Sequence, residues 1–383
     1  MLPALFLADL KILTFSVPGD THAAAVRWGL TELGVENCVV FLTDIPQRES
    51  LSFEPGVSEE WRFGRGGSDL RLSGYDSIWF RRSGAMVLPS GSHPADRKYA
   101  QAAWREVRDA MHLHLESATP LCVNPPSSYL LVDNKAFQLK IAVEAGFQIP
   151  KTLVSSSRDE VVDFIRSHAA CGDETICKPI LPMNWLAQDG AALAVSTEVV
   201  DEEIVDSADV SLCPAIYQLR VRKSFEVRIT TIGSSMFAIR LDSQASDVTS
   251  LDWRNAPRTA MLGCEEISIP DGVSALCRWF CRRLRIVFAC FDFIVDSDGQ
   301  WIFLECNEMG NFLWVEANNP EIPLLDCFTR FLMSGDPAFT YVPDPSSRLR
   351  FSDFATSEPA ARQLKEELDT HIPIPESYVA VQE

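Results

Sequence analysis

Glu305 and Asn307 stand two residues apart in the apolar run WIFLECNEMGNFLWVE, residues 301 to 316. A strand alternates its faces with a period of two, so both side chains project to one side. Oxygen-bearing groups beside an apolar wall suit a hard cation such as Mg²⁺, which takes a few protein oxygens and fills its shell with water or phosphate. A strand end where two polar residues meet water has the same local pattern, so the rest of the chain must decide. Upstream, Asp292 lies in the β-rich run FACFDFIVDSDGQ, and DSDG has the composition of a hairpin turn. Such a hairpin sets Asp292 across from Glu305 and Asn307, giving three oxygen ligands for Mg²⁺ ions that bridge nucleotide phosphates. Three polar residues on exposed faces remain the competing reading.

Two lysines and one Glu/Arg pair add to this set. Lys178 lies in the apolar strand sequence TICKPI. A buried, unpaired ammonium costs several kcal/mol, roughly, so this side chain is expected to face a phosphate or carboxylate. Lys135 opens a helix in VDNKAFQLK; a single lysine there is more often simply solvated. Glu226 and Arg228 in FEVRI again share a strand face. Arg228 could stabilise charge on a transferring phosphoryl group, and Glu226 could accept from ribose hydroxyls or join the metal shell. An exposed Glu/Arg edge pair would have the same spacing.

The elements that position these residues follow from the patterning. KILTFS, then THAAAVRWGLTELG, then ENCVVFLTD read as strand, helix and strand. YDSIWFRRS and the helical RKYAQAAWREVRDAMHLHLES continue the alternation, which predicts an open α/β lobe with a largely parallel sheet over residues 1–123. A second unit, 124–214, holds a helix from about Asn134 to Ala145, a strand after Pro150, a helix over RDEVVDFIRSH and the TICKPIL strand. The third, 215–335, is strand-rich and carries the expected metal hairpin. Residues 336–383 are Pro-, Ser- and charge-rich with one short helix near EPAARQLKEELDT; they could fold back on the body, extend a dimer surface or bear on substrate choice. The fold class is therefore α/β (α+β).

The chain has 383 residues, 46% hydrophobic and 23% charged, an ordinary globular composition with room for two or three domains. A net charge of −19 argues against a general nucleic-acid or anionic-membrane binder, while leaving room for a local phosphate site. Eleven scattered cysteines with no C-x-x-C pair point to reduced, mostly buried thiols and a cytoplasmic setting. Cys277 and Cys281, four apart, lack supporting ligands and are expected to pack. MLPALFLADLKILTFSV has no basic leading region and is interrupted by Asp9 and Lys11, so it reads as an approach to the first strand, not a signal peptide. No segment reaches membrane-spanning length.

Taken in order, the Lys at a helix start, the Lys in a KP strand, YQLRV, EVR and D…E-x-N resemble the ATP-grasp ligases. Within these, DNKAFQLKIAVEAGFQIPKTLVSS, FAIRLDSQ and LDWR are similar to the ring-closing ligases of the microviridin type, the graspetide synthetases. The resemblance spans roughly residues 10 to 335 and implies an ATP-grasp fold behind an N-terminal open α/β pre-ATP-grasp lobe. It implies that Lys135 and Lys178 contact ATP phosphates, and that Tyr217 to Val221 form a hinge against adenine with Gln218 the nearest polar group. Asp292, Glu305 and Asn307 would bind magnesium, and Arg228 and Arg240 would face the γ-phosphate and an acyl phosphate. The roles of Asp252, Arg254 and of Arg81 and Arg82 in WFRR stay open, with a structural one expected for WFRR. The partner implied is a precursor peptide, leader plus core, and the family leads one to expect a homodimer. The loop LPMNWLAQDGAALAV, which would cover the phosphates, has only one glycine, Gly190.

The chemistry implied is ATP-dependent activation of a side-chain carboxylate as an acyl phosphate, with release of ADP. Attack by a hydroxyl or amine then gives an ester or amide cross-link. Positioning and charge neutralisation supply most of such catalysis. Two alternatives stand beside it: a ligase that joins free amino acids or adds one to a peptide or protein, and a non-catalytic nucleotide- and peptide-binding module. No G-x-S-x-G or H-E-x-x-H favours a hydrolase. GRGG, residues 64 to 67, lacks a P-loop ending and reads as a loop.

Overall fold

The computed structural model describes residues 10–65, 68–84, 86–181, 184–186, 192–194, 197–243 and 263–374. The chain opens with strand β1 (Lys11–Ser16), helix α1 (Thr21–Glu32) and strand β2 (Glu36–Phe41). Asp20 caps α1, its carboxylate accepting from the Ala23 amide at 2.8 Å. A three-stranded antiparallel sheet follows: β3 (Glu49–Glu54), β4 (Ser58–Arg65) and β5 (Ser68–Arg71). The alternation reading passes over this sheet. GRGG, expected as a loop, gives Gly64 and Arg65 to the end of β4, and Gly66 and Gly67 lie outside the described residues. Strand β6 (Ser77–Phe80), the long helix α2 (Pro94–Ala118) and strand β7 (Leu121–Val123) complete the lobe. Its sheet runs β2-β1-β6-β7, parallel throughout and buried on both faces at its centre, as the sequence predicts.

The second unit holds α3 (Tyr129–Val132), α4 (Lys135–Ala145), β8 (Thr152–Ser155), α5 (Arg158–Ala169), β9 (Thr175–Lys178), β10 (Asn184–Leu186), β11 (Ala192–Ala194), β12 (Glu198–Val200), α6 (Glu202–Ser207) and β13 (Ala215–Leu219). Asn134 caps α4 by accepting from the Phe137 amide at 2.9 Å, and Gly146 ends it at φ +97°, a conformation that favours glycine. The sheet order β12-β9-β13-β8 is antiparallel, and its Tyr217 side packs on Val161, Val162 and Ile165 of α5. Because β13 pairs with both β8 and β9, the expected boundary between 214 and 215 cuts through this sheet. The change of sheet falls after Leu219.

The third unit holds β14 (Lys223–Ile232), β15 (Ser235–Leu241), β16 (Cys264–Glu266), α7 (Asp271–Leu284), β17 (Phe288–Asp296) and β18 (Trp301–Asn307), with the sheet order β16-β15-β14-β17-β18, antiparallel. One face, carrying Val227, Ile229, Ala238, Phe291 and Phe293, packs on α4 and α7 through Leu139, Phe280 and Leu284. The Cys277 thiol lies in this core and burial pushes it up, so it is packed away and protonated. The opposite face carries the polar residues considered below.

Four helices follow: α8 (Leu313–Asn318), α9 (Leu324–Ser334), α10 (Phe351–Thr356) and α11 (Glu358–Thr370). The described part of the tail folds back on the first lobe. Leu349, Phe354 and Ala360 join the core that contains α1, Arg27 pairs with Glu367 at 2.7 Å, and His371 meets Asp44 at 2.5 Å. Among the described residues no helix is long and apolar enough to cross a membrane.

Candidate functional site

The hairpin of β17 and β18 sets Asp292 directly opposite Glu305 and Cys290 opposite Asn307. An irregularity in the pairing makes this possible. Phe293 faces Phe303, so Leu304 is an extra residue on β18. Without it Glu305 would share the helix-packed face with Phe303. With it, Phe303 and Cys306 enter that core while Glu305 and Asn307 project to the other side with Asp292.

Helix α4 is bolted to this strand by a residue that the sequence reading misses. Gln138, 4% exposed, donates to the Cys306 carbonyl at 2.8 Å and accepts from the Cys306 amide at 2.9 Å, as a neighbouring strand would. Its signal was a glutamine on the buried side of an otherwise apolar helix. One turn earlier, Lys135 brings its ammonium to 3.4 Å from the Glu305 carboxylate. Asn307 points its amide at the same carboxylate, at 3.4 Å.

Arg228 faces Asp292 across β14 and β17, its Nη1 donating to both carboxylate oxygens at 2.8 Å. Burial works against the guanidinium charge, but Asp292 and Glu305 raise its pKa, and it stays ionised. Its Nη2 donates to the Asn311 carbonyl at 3.2 Å, and its Nε is buried without a hydrogen-bond partner among the described residues. Glu226 lies on the same face, buried and paired with Lys223 at 2.7 Å; burial raises its pKa and Lys223 opposes the rise.

Arg240 departs from expectation. It stands opposite Val227 in the register, so it projects to the other face of the sheet from Arg228. There it pairs with Asp242 at 2.7 Å and lies over the Phe225 ring at 4.3 Å. Counting along one strand cannot reveal this, because the face is set by the neighbour's register. Asp252, Arg254, Gln244 of DSQ and residues 187–191 around Gly190 lie outside the described residues, while the flanks of that loop pair as β10 and β11.

Lys178 and Gln218 come together on the second sheet. Lys178 faces Ile216 and Gln218 faces Ile176, which puts both on the side away from α5. Gln218, 2% exposed, donates to Thr152 Oγ1 at 2.9 Å, and its Oε1 is buried without a donor among the described residues. An acceptor in that condition would be satisfied by an N–H of a bound ring.

Next to Asn307, Glu308 is buried against Asp133. Burial and that neighbouring carboxylate push the Glu308 pKa well up. Arg81 and Arg82 converge on Asp20 at 3.4 and 2.8 Å. Burial raises the Asp20 pKa, but the two arginines and His22 outweigh it and hold the carboxyl at about 2.

The residues fit a divalent cation and a nucleotide. Two carboxylates and one amide oxygen suit Mg²⁺, which binds few protein groups directly, and among the described residues no group of three His, Cys, Asp or Glu offers a rival metal site. Two lysines, together with the Arg228 Nε and Gln218 Oε1 that have no partner among the described residues, offer partners to phosphates and to a base.

No protein-family model matches this sequence, and no curated protein matches it. Solved structures do. A RiPP-associated ATP-grasp ligase from Chryseobacterium gregarium, in complex with ADP and a leader and core peptide, is 24% identical. That match covers 87% of this chain and 100% of the other with a TM-score of 0.74. The macrocyclase MdnC from Microcystis aeruginosa MRC, bound with the precursor peptide MdnA, is 20% identical over 85% of this chain and 100% of its own, TM-score 0.74. D-cycloserine synthetase DcsG is more distant, at 12% identity over 85% and 100% of the two chains and a TM-score of 0.52. The fold is that of the ATP-grasp enzymes.

Proposed function

We propose that this chain is an ADP-forming ligase that activates a side-chain carboxylate of a ribosomally made precursor peptide and closes an ester or amide link within it. The observation that carries the reading is the polar face on which Asp292, Glu305 and Asn307 meet across one hairpin, with Lys135 and Arg228 paired into it. Asp292, Glu305 and Asn307 would hold Mg²⁺, which when bound neutralises charge on the phosphates. Lys135 and Lys178 bind the phosphates, the stretch from Tyr217 to Val221 holds adenine with Gln218 completing its hydrogen bonds, and Glu226 takes the ribose. Arg228 stabilises the γ-phosphoryl as it passes to the peptide carboxylate. Its place is fixed before substrate arrives, so little reorganisation is needed at the moment of transfer.

The solved neighbours support the peptide part of the reading: the Chryseobacterium ligase holds leader and core peptide, and PsnB was captured with minimal precursor, Mg and ADP. The free thiols suit a cytoplasmic setting, where ATP is available. A second reading, a ligase of free amino acids, would use the same nucleotide face, and the likeness to DcsG carries no more than the shared fold. The test is ADP release with Mg–ATP and either a precursor peptide encoded beside this gene or a panel of free amino acids. Release that requires the peptide supports the proposal; release driven by amino acids alone moves it to the second reading.

A further inference from the structure

The turn after the E-x-N strand, residues 308–313, is held by the first lobe. Buried Arg81, 1% exposed at the end of β6, donates through Nη1 to the Met309 carbonyl and through Nη2 to the Asn311 side-chain oxygen. His22, at the start of α1, accepts from the Phe312 and Leu313 amides at 3.0 and 3.2 Å. Asp20 holds Arg81 and Arg82 from the other side. The turn in turn holds Arg228: the Asn311 carbonyl accepts from Arg228 Nη2, and Gly310 lies so close that an added Cβ would sit 2.8 Å from that nitrogen. The chain of contacts runs Asp20, Arg81, Asn311, Arg228, Asp292, from one lobe to the phosphoryl-handling face of another.

We propose that Arg81 is a positioning residue for the ligase reaction, fixing Arg228 through the 309–311 turn so that the first lobe sets the geometry of phosphoryl transfer. The proposal rests on the ligase reading above. A planar fork that reaches two oxygens cannot be reproduced by an ammonium. Arg81→Lys keeps the charge facing Asp20 and loses the simultaneous grip on Met309 and Asn311.

The experiment compares wild type, Arg81→Lys, Arg228→Lys and the double variant. It measures affinity for Mg–AMPPNP by calorimetry, peptide-dependent ADP formation, and amide hydrogen exchange without nucleotide. Arg81→Lys is expected to speed exchange across 309–313 by about tenfold or more while β14 stays protected. It is expected to lower kcat by about tenfold or more with KM for ATP little changed. In the double variant it should add less than about twofold to the loss from Arg228→Lys, because both act through one guanidinium. Exchange that is unchanged, or losses that multiply independently, overturns the proposal, as does an Arg81→Lys enzyme that matches a turning-over wild type. Wild type that binds no Mg–AMPPNP overturns the ligase reading and the role of Arg81 with it. Arg27→Ala, which breaks the Arg27–Glu367 pair elsewhere on the lobe, serves as the control for a purely structural loss.

Discussion

At the scale of single residues, the charges on the polar face are arranged in pairs, and each pair prevents another group from standing alone. Arg228 and Asp292 are both buried, and removing either would take from the other its bidentate partner; breaking a buried pair typically costs about 3–5 kcal/mol. Gly310 owes its identity to this packing and not to its backbone angles. A Cβ there would meet the Cys290 Cβ at 2.7 Å and the Arg228 Nη2 at 2.8 Å. Gly310→Ala is therefore expected to cost about 1–3 kcal/mol through overpacking and to depress ADP formation more than it depresses nucleotide affinity. Urea unfolding and a steady-state assay on the same preparation check both parts; unchanged turnover would mean that the turn is free to yield. The sequence places a glycine three residues after E-x-N, but its contact with Arg228 is not legible there, since the two lie 82 positions apart.

At the scale of elements, the hairpin was legible and its defect was not. A period-two reading correctly places Glu305 and Asn307 together, because both follow the extra residue. It says nothing of Leu304, which decides that they face Asp292 and not the phenylalanine core. The same limit explains Arg240, whose side of the sheet depends on pairing with Val227. Helix α4 was legible at both ends, through Asn134 and Gly146, while the partner of Gln138 was not, because the contact reaches 168 residues along the chain. Gln138→Leu is expected to leave the Cys306 amide and carbonyl short of partners, at about 1–3 kcal/mol for each. Lys135 should then lose its fixed distance to Glu305, and Mg–nucleotide affinity should fall along with thermal stability. Calorimetry and thermal unfolding test this; stability lost with affinity intact would separate α4 from the nucleotide face.

At the scale of the whole molecule, the described tail and the parallel lobe share one core, so the lobe is not an appendage to the ATP-grasp sheets. Two histidines make its stability depend on acidity. Burial, the largest influence on both, lowers the His112 pKa to about 3 with Arg108 adding to it, and lowers that of His22 to about 3 with Arg81 adding to it. Each is neutral in the folded chain and titrates near 6.5 when unfolded. Between those values the unfolded state binds more protons, so stability falls as the pH drops from about 6.5 toward 3, by up to about 1.4 kcal/mol per pH unit for each histidine. Urea midpoints at pH 7 and pH 5 should differ accordingly, and His112→Phe should flatten the slope; a slope unchanged by that substitution would mean the imidazole is solvated.

The central claim is that the face formed by Asp292, Glu305 and Asn307 drives a ligation within a peptide. The most direct measurement is the intact mass of the precursor peptide encoded beside this gene after co-expression with wild type and with Glu305→Gln. The account predicts loss of one water per link with wild type and an unmodified peptide with the variant. A peptide that gains mass, or one that loses water equally with Glu305→Gln, would contradict it.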